Sequence, residues 1–354
     1  MKGNILITTG GSGGHVIPAM ILYDHLSKDM DVTMSTDKRG LRYLDKDNYK
    51  YNIIDTPKLN NILILPINVI LILFLTFKSF FLLKNRKVEK LISTGGYMSL
   101  PLILAAKLLN LKIYLLEPNM VLGKANKYFL NSCIKIFCYS EDIKNFPNNL
   151  KSKMVIIKPL VKENIYKLNN KCNTKHKFNL LVVGGSQGAT IFDKNLKNSI
   201  VNISKKFSLN IMQQTSEKNI NDLKNFYSKN NIENTIFNFE KNFENIIHQA
   251  DLCLTRAGAS TLAELSVLNI PFIAIPLPTS KDNHQFENAN FYKNHGCCWI
   301  LEQKFFEEKI EEVLKDILIN KNDYIKKKEN LKKFNYKNTW INVNQKILES
   351  INEN

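Results

Sequence analysis

Gly10 to Gly14 place four glycines in five positions, in the run Thr9-Gly10-Gly11-Ser12-Gly13-Gly14-His15 between an apolar strand-like stretch and a helical one. Glycines in such a place let backbone N–H groups close on an anion at a helix N-terminus, where the helix dipole adds to the attraction. A tight turn is the plainer reading, but it needs fewer glycines. Ser93-Thr94-Gly95-Gly96-Tyr97 is a second loop of this kind, and Gly184-Gly185-Ser186-Gln187-Gly188-Ala189 a third. The fourth is Thr255-Arg256-Ala257-Gly258-Ala259-Ser260-Thr261-Leu262-Ala263-Glu264, whose small residues start a helix. Glu264 falls within the first two turns of that helix, where a carboxylate accepts two hydrogen bonds from the vicinal hydroxyls of a ribose. Alone, it reads better as a glutamate complementing the dipole; beside a phosphate-type loop the nucleotide reading gains. Three or four anion-cradling loops point to a ligand with several phosphates, or to two phosphorylated ligands.

Other phosphate and metal chemistries fit less well. Val16 stands where the dinucleotide fingerprint has its third glycine, and no loop ends in Gly-Lys-Ser/Thr, so NAD enzymes and P-loop NTPases are disfavoured. The Asp-x-Asp pairs Asp29/Asp31 and Asp45/Asp47 lie in polar connections away from the glycine loops and read as solvated turn residues. The six cysteines (Cys133, Cys138, Cys172, Cys253, Cys297, Cys298) contain no CxxC, and the six histidines no HExxH. Neither a metal site nor a cofactor is expected; helix dipoles and N–H groups would take the metal's place.

The elements that must position these loops alternate. Strand-like runs at Asn4–Thr8, Asp31–Met34, Lys90–Ser93, Lys112–Leu116 and Ile134–Cys138 are separated by helical patterns such as Pro18–Ser27 and Pro101–Leu109. The chain turns polar over 158–177, a candidate linker, and then restarts. Strands are expected at Phe178–Val183, Leu209–Gln213, Thr235–Asn238, Asp251–Thr255 and Pro271–Ile275, surface helices over Glu307–Lys333, and a last amphipathic helix over Thr339–Ile351. This alternation predicts an α/β protein with two Rossmann-like halves on parallel sheets.

The 354 residues suffice for two such cores. The formal charge of +17 attracts polyanions, although Lys-, Asn- and Ile-rich composition alone accounts for much of it. Residues 62–83, ILILPINVILILFLTFKSFFLL, are almost wholly apolar and long enough to span a bilayer. A core helix and a helix with one face on lipid are the competing readings. Lys84, Arg86, Lys87 and Lys90 follow it, the pattern of a protein lying on an anionic membrane. Spanning ranks last, because it would split residues 5–14 from 92–96 of one sheet. Free cysteines and the absence of a signal-type h-region favour the cytoplasm.

GGSGGHVIPA, STGGYMSLP, VVGGSQGA, RAGASTLAEL and DNHQFENA stand in an order and at distances that resemble the MurG family along about residues 4–350. The resemblance implies the GT-B fold with a cleft between its halves, and an inverting transferase without metal. Such an enzyme moves N-acetylglucosamine from UDP-N-acetylglucosamine to the C4 hydroxyl of undecaprenyl-diphospho-muramoyl-pentapeptide, a step of peptidoglycan synthesis that serves cell shape and division. It further implies a peripheral protein on the cytoplasmic face of the plasma membrane, whose hydrophobic patch and basic rim dock on the anionic leaflet. The expected division is 1–160 for acceptor and membrane, 161–337 for the donor, and a C-terminal helix at 338–354 packing back on the first.

Carried over by motif, His15 is the candidate base, with a phosphate contact as the even alternative. Ser12, Gly13, Gly14 and Asn119 contact donor sugar or diphosphate. Ser186, Gln187 and Gly188 hold donor phosphates; Ala259, Ser260, Thr261, Leu262, Ala263 and Glu264 line the nucleotide; Gln285 and Asn288 lie near the sugar; and Glu240 reads uracil through its backbone. Gly95, Gly96, Tyr97 and Glu117 fall on the acceptor side. The chain departs from the family at Leu116 and Pro118. It departs again at Val161, which occupies the place of an arginine, and Lys162 one step later is its substitute. Another GT-B lipid glycosyltransferase or a sugar-nucleotide epimerase is the alternative. A non-enzymatic basic binding protein is a distant third, since no RNP or helix-turn-helix signal favours nucleic acid.

Overall fold

The computed structural model describes residues 3–57, 65–168, 177–240 and 242–353. Cys172, His176 and the start of the apolar run at 62–64 lie outside them. In chain order the elements are β1 (Asn4–Thr8), α1 (Gly13–Leu26), β2 (Asp31–Thr36), β3 (Tyr51–Ile53), α2 (Leu65–Asn85), β4 (Lys90–Ser93), α3 (Leu100–Leu108), β5 (Lys112–Glu117), α4 (Lys124–Phe129), β6 (Lys135–Cys138) and β7 (Met154–Ile156). Then come α5 (Glu163–Lys167), β8 (Phe178–Val183), α6 (Gly185–Asn195), α7 (Lys197–Ser204), β9 (Leu209–Gln214), α8 (Ile220–Lys229), β10 (Glu233–Phe237), α9 (Phe243–Gln249) and β11 (Leu252–Thr255). The last are α10 (Ala259–Val267), β12 (Phe272–Ala274), α11 (His284–Asn294), β13 (Cys298–Ile300), α12 (Phe306–Ile319), α13 (Lys321–Phe334) and α14 (Trp340–Asn352).

Two compact units result. The first is Met1–Val161 with Thr339–Asn354; the second is Lys162–Asn338. The first holds a seven-stranded parallel sheet in the order β3-β2-β1-β4-β5-β6-β7, with Leu6 opposite both Thr33 and Leu91. Its central strands are buried almost without interruption at Ile5–Ile7, Leu91–Ile92 and Ile113–Leu116, as a sheet covered on both faces requires. Helix α14 closes this unit: the Trp340 ring stacks on His25 at 3.5 Å, and the Tyr114 hydroxyl donates to the Ile351 carbonyl at 3.2 Å. The second unit holds a six-stranded parallel sheet in the order β10-β9-β8-β11-β12-β13, cored by residues such as Leu180, Val182, Phe192, Ile211 and Phe306.

Each order reverses once, between β1 and β4 and between β8 and β11. Open α/β sheets bind ligands at the carboxyl ends of the strands at such a switch point. The first two glycine loops follow β1 and β4, and the other two follow β8 and β11, so all four stand at the two reversals.

Several expectations need adjustment. The segment from Gly184 is a helix rather than an extended loop, because α6 begins at Gly185, whose φ of +63° makes the turn. Helix α1 starts at Gly13, with Pro18 inside it. The expected linker contains α5 and buries Leu160, Val161 and Ile165. Asp31 opens β2 rather than sitting in a turn. The short strands β3, β7 and β13 carried no run long enough to read.

Helix α2 is inside out. Its buried stripe is Asn68, Ile72, Thr76, Ser79 and Leu83, spaced four, four, three and four apart on one face, and it packs on α3. The Thr76 and Ser79 hydroxyls donate to the carbonyls of Ile72 (2.8 Å) and Leu75 (2.7 Å), which removes their polarity from the contact. Ile67, Ile70, Leu73, Phe74, Phe77 and Phe81 are exposed, Ile70 by 67% and Phe74 by 63%. By length and hydropathy the helix could cross a membrane. Yet it connects β3 to β4, both strands of one sheet with β2 and β1 between them, so spanning would tear that sheet. Of the basic residues at its end, Lys84, Arg86 and Lys87 are exposed. Arg86 also donates to Thr33 and Asn52, each at 3.1 Å, and the partly buried Lys90 to Asn352 at 3.4 Å.

Candidate active site

In the first unit the strand ends β1 and β4 are tied together by a hydrogen bond from the Thr94 hydroxyl to that of Thr9 at 2.8 Å. Asp37, fully buried at the end of β2, shapes the first glycine loop. Its Oδ1 accepts from the amides of Gly11 (2.8 Å) and Gly40 (2.9 Å), while Oδ2 accepts from Arg39 Nε at 2.8 Å. A Cβ on Gly10 would stand 2.6 Å from Asp37 Oδ1, and one on Gly11 2.4 Å from Met98 Cε. The second is also at a φ of +80°. Glycine is therefore required at Gly10 by close approach to the hydrogen-bonded Asp37, and at Gly11 by its left-handed backbone, since the Met98 methyl can move aside.

Ser12 caps α1, and Gly13, Gly14 and His15 form its first turn. The imidazole lies over the second loop, with His15 Nδ1 2.7 Å from the Thr94 carbonyl. A carbonyl only accepts, so Nδ1 carries the proton and Nε2 is the basic nitrogen. A Cβ on Gly95 would approach His15 Cε1 to 3.4 Å, and one on Gly96 would approach Cδ2 to 3.6 Å, so the two glycines form the floor under the ring. Tyr97 is half-buried, and the Arg39 guanidinium stands 5.1 Å from its ring centroid.

Glu117 is not a surface group. It is 2% exposed, and its carboxylate accepts from the Gly123 amide (2.7 Å), Asn126 Nδ2 (3.0 Å), Asn119 Nδ2 (3.1 Å) and the Asn119 amide (3.2 Å). Burial pushes its pKa up and these donors oppose the rise. With its lone pairs used internally, Glu117 positions the 117–126 turn instead of meeting an acceptor. Half-buried Asn119 sits on this turn, and Asn126 continues it to Gly95. Glu117→Ala leaves several buried donors without an acceptor, so it should lower stability by about 1–3 kcal/mol. A fall in the urea midpoint checks this; an unmoved midpoint means the turn holds itself.

In the second unit, α10 presents Ala259, Ser260 and Thr261 in its first turn, where helix amides lack intrahelical acceptors, and all three are partly exposed. Leu262 and Ala263 are buried in the core, so their side chains face away from any nucleotide. Glu264, one turn on, is half-buried with its pKa pushed up to about 7 by burial; Lys162 opposes the shift and Glu244 adds to it. Lys162 Nζ stands 3.9 Å from Glu244 Oε2, and Glu244 is buried and accepts from Asn164. Lys162, rather than the buried Val161, thus supplies the positive charge that acts on the Glu264 carboxylate.

Gln285 Oε1 accepts from the amides of Leu277 (3.0 Å) and Ala257 (3.3 Å), and Asn288 Nδ2 donates to the Ala257 carbonyl at 3.2 Å. Asn288 is 2% exposed and braces the loop from behind. Glu240 lies three residues past the end of β10 and accepts from the Asn242 amide at 3.2 Å. Ser186, Gln187 and Gly188 fall in the first turn of α6; their side chains lie outside the described structure. Among the described residues no group of three His, Cys, Asp or Glu side chains could hold a metal ion.

Asp37, Asn126 and Glu244 are shaping residues that the sequence reading did not single out. Asp37 had a readable signal, since it ends the polar tail Ser35-Thr36-Asp37 of an apolar strand at a sheet's binding edge. Glu244, far from Lys162 in sequence, had none.

Residues 5–138 match the glycosyltransferase family 28 N-terminal domain and residues 179–339 its C-terminal domain. Two parallel Rossmann-like sheets with loop sites at their switch points define a glycosyltransferase of the GT-B fold. The chain is 51% identical to the UDP-N-acetylglucosamine–N-acetylmuramyl-(pentapeptide) pyrophosphoryl-undecaprenol N-acetylglucosamine transferase of Pelagibacter ubique, with 100% of both chains covered. The crystal structure of MurG from Acinetobacter baumannii matches with a TM-score of 0.77 at 23% identity, covering 99% of this chain and 100% of that one. The UDP-GlcNAc 2-epimerase of Neisseria meningitidis matches with a TM-score of 0.67 at 15% identity, covering 99% and 100%, a likeness of fold alone. This chain belongs to the MurG family of N-acetylglucosamine transferases.

Proposed function

We propose that this protein transfers N-acetylglucosamine from UDP-N-acetylglucosamine to the C4 hydroxyl of N-acetylmuramyl-(pentapeptide) pyrophosphoryl-undecaprenol. What carries this reading is the relative of that name, 51% identical over the full length of both chains. The geometry supplies a chemistry for it. His15 Nε2 takes the proton of the acceptor hydroxyl, its oxygen attacks C1 of the donor sugar from the opposite face, and the bond from C1 to the diphosphate breaks, inverting the centre and releasing UDP. The open amides at the start of α6 and α10 stabilise the charge that develops on the leaving diphosphate. Glu264 accepts from the ribose hydroxyls, and Lys162 supplies a positive charge beside it.

A transfer assay with radiolabelled UDP-N-acetylglucosamine separates this from the alternatives. Label moving to the muramyl lipid is expected. Transfer only to diacylglycerol, or conversion of the free sugar nucleotide to its 2-epimer without any acceptor, sinks the reading.

The exposed apolar face of α2 supports docking on a membrane, with Lys84 and Lys87 toward anionic headgroups. This makes the protein peripheral, on the leaflet that presents the lipid-linked acceptor to the cytoplasm. Replacing Phe74 and Phe77 together by glutamate should weaken binding to anionic vesicles by about 100-fold or more, since each buried phenyl contributes about 1.5–3 kcal/mol. Co-sedimentation with vesicles measures it, and unchanged binding would move the docking surface elsewhere.

A further inference from the structure

We propose that the second unit carries an oxyanion-binding pocket built on Arg256, beside the amides assigned to the donor diphosphate. Thr190, Lys194 and Asn195 of α6 line an open cavity of about 430 Å³ together with Arg256, Thr279 and Gln303. Arg256 stands just past β11 and is 7% exposed. One terminal nitrogen donates to the Ile275 carbonyl at 3.1 Å, the other to Gln303 Oε1 at 2.7 Å, and the guanidinium sits 5.4 Å from the Phe192 ring centroid. Its Nε is buried without an acceptor. Every group it touches is neutral, and among the described residues no carboxylate pairs with it.

A buried cation without a counter-ion is costly. Capping backbone carbonyls does not call for a full charge, and burial lowers the pKa of this guanidinium, which nevertheless stays charged. The second cation at the cavity, Lys194, is exposed on its rim. A fixed planar guanidinium, an ammonium, two hydroxyls and an amide form the set that recognises a phosphate or carboxylate oxyanion. The nearby acid, Glu307, accepts from Asn195 Nδ2 at 2.6 Å and is held on that amide. The cavity is larger than an inorganic anion, so the group it takes is attached to a body that rests on Leu277 and Pro278. Two sources share this chemistry: an anionic group of the proposed acceptor, whose peptide ends in a carboxylate, and a free phosphate ester. The first source rests on the proposed function; the pocket itself does not.

The test titrates inorganic phosphate into the full-length protein saturated with UDP-N-acetylglucosamine, which fills the donor amides, and follows heat by calorimetry. Saturable binding is expected, weakened about 5-fold or more in Lys194→Ala and about 10-fold or more in Arg256→Gln, the scale of one lost charge-assisted bond. Lys194 is exposed, so its variant decides the matter even if Arg256→Gln fails to fold. A second arm compares acceptors with free and amidated peptide carboxylates. If Lys194→Ala raises KM only for the free carboxylate, the acceptor is the source; if neither KM moves while phosphate binding is lost, it is a free phosphate ester. Phosphate binding that is absent, or equal in Lys194→Ala and the unaltered protein, overturns the proposal. A protein that binds no UDP-N-acetylglucosamine refutes the functional reading instead, and the phosphate titration, run without nucleotide, still reports on the pocket.

Discussion

Replacing His15 with alanine lowers kcat by about 10²–10⁴-fold, the range for a lost general base, while UDP-N-acetylglucosamine binds as before. The split follows from the placement of the ring. His15 is held through Nδ1 by the Thr94 carbonyl at 2.7 Å, which fixes the tautomer and aims the basic nitrogen. That carbonyl also steadies the imidazolium once the acceptor proton has arrived. The residues proposed to line the nucleotide, Ala259 to Glu264, belong to the second unit, so losing the imidazole is expected to spare nucleotide affinity. Single-turnover transfer and equilibrium donor binding, measured on one preparation, separate the two effects. Near-normal turnover in a well-folded His15→Ala protein would falsify the base and leave the ring as a phosphate contact.

Glu264→Gln gives the second large effect, and it has two signs. Donor kcat/KM falls by about 10²-fold, because hydrogen bonds to a charged acceptor contribute about 1.5–3 kcal/mol each and the neutral amide accepts weakly. Stability rises at alkaline pH. The carboxyl of Glu264 is pushed up to about 7 by burial, so the folded state holds its proton more tightly than the unfolded chain. Stability tied to this group is therefore fully present below the ordinary carboxylate range and is lost as pH rises toward 7. At pH 8 the ionised, half-buried group costs about 1–3 kcal/mol, which the glutamine variant does not carry. Urea midpoints at pH 5 and pH 8 should converge at the lower pH and separate at the higher, with the variant ahead. In the unaltered enzyme, donor affinity should weaken below pH 7 as the carboxylate protonates. A pH-independent difference in midpoint would mean that the group ionises normally.

Most of the frame was legible because its strands are long apolar runs closed by glycine. Asn4–Thr8, Lys90–Ser93 and Phe178–Val183 have the read bounds. The three-residue strands β3, β7 and β13 were not, since so short a segment has no periodicity of its own; β12, equally short, was readable because its apolar run extends from Pro271 to Ile275. The same distinction runs through the site. His15, Gly95 and Glu264 belong to local motifs and could be named. Whether a motif residue faces outward depends on contacts remote in sequence. Glu117 turned inward onto Gly123 and Asn126, and Leu262, Ala263 and Asn288 went into the core. Lys162, Glu244 and Glu264 act on one another although Lys162 and Glu244 stand more than eighty residues apart in sequence.

The inverted polarity of α2 carries a kinetic consequence. On the proposed docking through the exposed Ile70, Phe74 and Phe77, the protein meets an acceptor confined to the same surface, so encounters scale with molecules per unit area of leaflet. Diluting the acceptor with inert lipid at fixed bulk concentration should slow turnover, whereas adding water should not. An acceptor KM in moles per litre would then describe the vesicle preparation, and its mole fraction in the bilayer would describe the enzyme.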